Sequence, residues 1–258
     1  REVFDAGPPR LLPRISTVAE PGEICEVTGL PPEAPPLSLR LDLAEFLGPL
    51  IERHPDIAPR HAIPGLADAL AGLLAEMAGE GVAPEMLANL DVDRHAEHWG
   101  RSRAIVEAAA RYLSDISGGA VPADGRRRLT VESLAARWES DPPDHPVIVA
   151  GSTGSRAATH RLMAAVARLP RGAVVLPGFD AGMPRDHWQA LAREGETGGA
   201  EDHPQFRFLR LLETLGATPE DVMPWTAAMP PDPPRKALIS LALCPAPVTD
   251  RWRSESAA

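Results

Sequence analysis

The residues best suited to chemistry form a short Gly-rich run, Gly151-Ser152-Thr153-Gly154-Ser155. Amides and hydroxyls at the mouth of a helix make a ready anion site, because the first turn leaves its N–H groups without partners. A phosphate-cradling P-loop needs G-x-x-x-x-G-K-[ST]. Here Ser155 follows Gly154, and the single lysine, Lys236, lies far downstream. Nor is the run a nucleophile elbow, since Thr153 stands where G-x-S-x-G requires serine. The plainer reading is a tight strand-to-helix turn with serine and threonine capping the helix. Asp180, at a second strand end, is a candidate for Mg²⁺ or a hydroxyl, or a turn residue. Arg126, Arg127, Arg128, Arg156 and Arg161 are candidate DNA-backbone contacts; solvated helix faces balanced by acids are the commoner outcome for such arginines. His95 and His98 flank Glu97 at helical spacing but point to no third metal ligand, so a helix edge beside Trp99 is favoured. Cys25 and Cys244 have no paired histidine or helix-mouth setting that would mark a nucleophile. From the residues alone, no catalytic set emerges.

The elements that must position these groups follow from hydrophobic period. Leu43, Phe46, Leu47, Leu50 and Ile51 trace one helical face, stopped at His54-Pro55. Further helices are predicted from Leu66 to Met77, from His95 to Ile116 and from Leu129 to Glu139, with Arg126–Arg128 just before the last. At Val147 the period changes. Val147–Ala150 is a short apolar run, as for a strand buried on both faces, and Ala173–Leu176 is a second. Between them a helix carries Leu162, Met163, Val166 and Leu169. Strand, helix and strand at this spacing predict a parallel βαβ unit, whose ligands bind beyond the carboxyl ends of the strands. Both Gly151–Ser155 and Gly178–Asp180 fall on that rim. A helix opening at His203-Pro204 and ending at Gly216, a turn capped by Thr218-Pro-Glu-Asp221, and a last helix from Arg235 to Leu243 complete the pattern.

Eight of the 29 prolines fall in the first 40 residues, so residues 1–39 read as a Pro-rich extended connector. Residues 40–140 read as a helical subdomain and 141–258 as an α/β core segment. The chain opens on Arg1, and Arg1–Phe4 resembles the last turn of a helix, as in a piece of a longer protein. With 26 basic against 36 acidic residues and a net charge of -10, the surface as a whole is unsuited to nucleic acid or anionic lipid. A local arginine strip remains compatible with that charge. Two cysteines make neither a disulfide framework nor a four-thiolate metal site and fit a reducing, cytoplasmic setting. The longest uncharged stretch, residues 237–249, is too short and too broken by proline for a membrane span.

The run Asp141-Pro-Pro-Asp-His-Pro-Val-Ile-Val-Ala-Gly-Ser-Thr-Gly-Ser155, followed by Leu169-Pro-Arg-Gly-Ala-Val-Val-Leu-Pro-Gly-Phe-Asp180, resembles the AddB family of double-strand-break repair subunits in its alphaproteobacterial form. Asp186-His-Trp188, Asp202-His-Pro-Gln205, Val222-Met-Pro-Trp225 and Thr249-Asp-Arg-Trp252 extend the likeness; Leu11–Ile15, Glu97-His-Trp99 and Arg137-Trp138 carry it more weakly upstream. The resemblance implies an internal, helicase-like segment with a P-loop-NTPase-like core and an inserted helical part over 40–140. It also implies an AddA-like partner subunit, in a helicase-nuclease that resects broken DNA ends, and single-stranded DNA as a partner of this segment. UvrD-like helicases place an Asp–Glu pair at one strand end to hold Mg²⁺ and activate water. Ala150-Gly151-Ser152 stands in that place, which speaks against ATP hydrolysis here. Gly151–Ser155 and Asp180 would then be a degenerate nucleotide site. ATP, Mg²⁺ and the iron–sulfur cluster would belong to the complex, with no cofactor in this segment. The function expected is DNA repair by a non-catalytic segment that guides DNA and contacts the partner. The alternatives are a small nucleotide-binding module or enzyme using the Gly151–Ser155 loop, and a pure assembly scaffold.

Overall fold

The computed structural model describes residues 13–23, 27–89, 97–196, 198–225 and 233–249. The architecture is α/β and mostly helical, with one small parallel sheet. Helix α1, Pro36–Arg53, starts well before the first leucine of its stripe, because Pro36 sits at the head of the helix, where a missing N–H costs nothing. Its Leu43, Leu47 and Ile51 are buried against Ala67, Leu70, Leu74 and Met77 of α2, Ile63–Glu80, and against Ala109 of α3, Glu97–Ile116. The stretch from Arg60 to Glu80 is long and apolar enough by composition to cross a membrane; five side chains of α2 are buried in this bundle.

Helix α4, Ala123–Ser140, begins six residues before the expected Leu129, so Arg126–Arg128 lie in its opening turns rather than ahead of it. Pro122, with extended dihedrals, serves as the boundary that the hydrophobic pattern does not mark. One side of α4 packs on α2, while Val131, Leu134 and Trp138 enter a second core with the α/β elements.

That second core holds β1, Val147–Ala150, helix α5, Ala157–Ala167, and β2, Gly172–Val175. The strands pair in parallel with Val147 opposite Gly172 and Ala150 opposite Val175, the βαβ unit expected. Burial on both faces is not observed. Val149 is 6% exposed but Ile148 is 55% exposed. Successive strand residues face opposite sides, and α5 covers the face that Val149 shares with Leu162, Met163 and Val166. Gly172 allows β2 to start tight against α5, since a Cβ there would fall 1.8 Å from the carbonyl oxygen of Val166.

Helix α6, Arg185–Glu196, and α7, Phe206–Leu215, share a third cluster of Met183, Trp188, Leu191, Phe206 and Leu209. The expected start of α7 at His203-Pro204 is instead a pair of turns, in which His203 Nδ1 accepts the Gln205 amide. Gly216 ends the helix at φ +67°. Thr218 and Asp221 form the expected reciprocal cap, and α8, Pro233–Ala242, follows. His95, Cys25, the Arg1–Phe4 segment and Asp250–Trp252 lie outside the described residues, as do the side chains of Glu97, His98 and Trp99.

Candidate functional site

Two places lie beyond the carboxyl ends of the strands. At the end of β1, Gly151 and Gly154 have φ of +79° and +69°, left-handed values that favour glycine. The Ser152 hydroxyl accepts the Gly154 amide at 3.2 Å, closing the turn. The expected capping of the next helix by serine or threonine does not occur. Arg156 occupies the N-cap position of α5 and makes no side-chain cap. The cap comes instead from a distant residue, Glu80 at the end of α2, whose Oε1 accepts the Ala157 amide at 3.1 Å. The carboxylate meets the positive end of the α5 dipole, the position a nucleotide phosphate takes at such a loop.

The five candidate arginines form struts around this cap. Arg126 donates to the carbonyl of Pro31 at 3.2 Å, Arg127 to that of Ala19 at 2.7 Å, and Arg128 to that of Ala78 at 2.8 Å. They pin the N-terminal segment and the end of α2 to α4. Arg127 and Arg156 converge on Asp124, the latter at 3.4 Å. Arg128 and Arg161 converge on Glu132, at 2.9 and 3.1 Å. Exposure separates them. Arg127 and Arg128 are 24% and 23% exposed, Arg161 41% and Arg156 69%. Arg156 is therefore the most open of these four side chains, whereas Arg161, though 41% exposed as a side chain, keeps its Nη1 buried beside Glu132. His160, on the same helix, meets the Thr214 hydroxyl at 3.0 Å. Desolvation, then Arg210, Arg161 and Arg207, hold its imidazole below the ordinary 6.5.

At the second place, beyond β2, Asp180 is 9% exposed. Its Oδ1 accepts the Gly182 amide at 3.1 Å and its Oδ2 accepts the Ser240 hydroxyl. Its own amide donates to Gln205 Oε1 at 3.0 Å, and Gln205 donates in turn to the Gly178 carbonyl. Lys236, the lone lysine, lies 3.8 Å from Oδ1. Asp180 is thus bonded to α8 and the turn before α7, and none of these bonds reaches Gly151–Ser155. Beside it lies a largely carbon-lined cavity of about 350 Å³. Its wall contains a pair the sequence does not announce: Cys244 Sγ stands 3.6 Å from His187 Nδ1 across 57 positions of chain. In sequence the histidine stands only within the run Asp186-His-Trp188, and no spacing links it to the cysteine.

Among the described residues, no three His, Cys, Asp or Glu side chains gather as a metal site. Set against family models, curated proteins and solved structures, the chain matches none.

Proposed function

We propose that the chain is a non-catalytic, helicase-like segment of a cytoplasmic DNA double-strand-break repair subunit of the AddB type. In this reading the βαβ unit belongs to a P-loop-NTPase-like core that has lost its nucleotide chemistry. The segment contacts an AddA-like partner subunit and guides single-stranded DNA, while ATP, Mg²⁺ and the iron–sulfur cluster serve the rest of the complex. One observation carries the non-catalytic part: the Glu80 carboxylate caps Ala157 where a phosphate would sit, so a nucleotide would have to displace a like charge. The same cap counts against a nucleotide-binding module at this loop.

Guidance of DNA rests on Arg156 and Arg161, whose side chains are more exposed than those of Arg127 and Arg128 and so are the better placed to meet a phosphate. Two such groups on a chain of net charge -10 make a narrow strip and a weak grip. The test is co-expression with an AddA-like subunit, followed by Mg²⁺-dependent ATP turnover and single-strand binding by the isolated chain at low salt. Association with the partner, no turnover, and DNA binding that R156A/R161A removes are expected. Turnover by the isolated chain would overturn the reading; association without DNA binding would reduce it to the scaffold.

A further inference from the structure

The cavity beside Asp180 is distant in its contacts from the β1 rim, and the proposed DNA and partner roles place no demand on it. Its volume of about 350 Å³ is in the range of small-ligand pockets. Phe179 and Met183 wall it from the β2–α6 turn, His187 from α6, and Ile239 and Cys244 from α8 and the turn that follows. Inert structural thiols are buried in apolar surroundings, and Cys244 is itself only 9% exposed. Cys244 differs in two respects. It lines an open cavity, and its sulfur is 3.6 Å from the Nδ1 of His187, a ring only 3% exposed and held in place by its burial. A second weak contact runs from the sulfur to the Ser240 carbonyl at 3.8 Å. A nucleophile, a base within reach and an adjacent apolar space form an activated-thiol arrangement.

We propose that Cys244 is a reactive thiol, activated by His187, that forms a mixed disulfide with small apolar disulfides entering this cavity. His187 Nδ1 takes the thiol proton and the sulfur attacks one sulfur of the bound disulfide. A new S–S bond forms to Cys244 as the old one breaks. The departing thiolate takes the proton from His187 and leaves as a free thiol. Cys244 is oxidised to the disulfide level, and the half of the reagent that leaves is reduced.

Replacing Cys25 by serine leaves Cys244 as the single thiol of the chain. Reaction of that protein with 4,4′-dithiodipyridine at neutral pH is followed by thiopyridone release, with the adduct located by mass spectrometry, both folded and in urea. The folded chain is expected to react at least about tenfold faster than the unfolded one, a floor below the roughly 100- to 10,000-fold that a positioned base supplies. His187→Gln should remove that excess, and Ile239→Trp, which fills the cavity from a half-exposed position on α8, should cut the folded rate while leaving the melt unchanged. A folded thiol that reacts no faster than the unfolded one overturns the proposal, as does a folded rate indifferent to Ile239→Trp.

Discussion

The ends of the two strands carry opposite designs. At β1 the chain fills its own anion site: the last carboxylate of α2 caps α5, and arginines from α4 and α5 are drawn onto Asp124 and Glu132. At β2 the strand end leads into a cavity, with Asp180 satisfied at one side and Cys244 beside His187 at the other. The same βαβ geometry offers both positions to ligands. The difference lies in what reaches each from elsewhere in the chain. At β1 a charged helix end arrives; at β2 an amphipathic helix, α8, arrives and leaves space.

The contrast can be broken most severely at its common base. Gly172→Ala would push a Cβ into the Val166 carbonyl, and a loss of about 3 kcal/mol or more in urea melts is expected, collapsing both ends together. Gly154→Ala acts on the β1 end alone. It places a side chain at φ +69° and 3.1 Å from the Met163 sulfur, and should cost about 1–2 kcal/mol while leaving Cys244 reactivity intact. Glu80→Ala removes the cap from Ala157 and should cost about 1 kcal/mol. The smallest effect is one of pH. His160 has a folded pKa below 6.5, so the folded state binds fewer protons than the unfolded one as pH drops below that value. Stability is full above 6.5 and declines on acidification, and His160→Gln should show a shallower decline in melts across that range.

The fold was legible where one element buries one face. The stripes of α1 and α2, both strands and the capping box at Thr218 follow from residue period and turn chemistry alone. What was lost came from elsewhere in the chain. The unbroken apolar run Val147–Ala150 predicts two-sided burial of β1, yet Ile148 has no covering layer among the described residues. Local sequence points to Ser152, Thr153 and Ser155 for the cap of α5, whereas the cap is Glu80, 77 positions from Ala157. Arg126–Arg128 form a basic cluster in sequence but donate to backbone carbonyls that no local pattern reveals. The Cys244–His187 pair is likewise purely tertiary.

The central claim, that the β1 end is an anion site occupied by the chain itself, is tested most directly by calorimetric titration of the chain with Mg²⁺·ATP. No saturable binding is expected. Saturable binding abolished by a bulky substitution at Gly154 would contradict the account and restore the Gly151–Ser155 loop as a working nucleotide site.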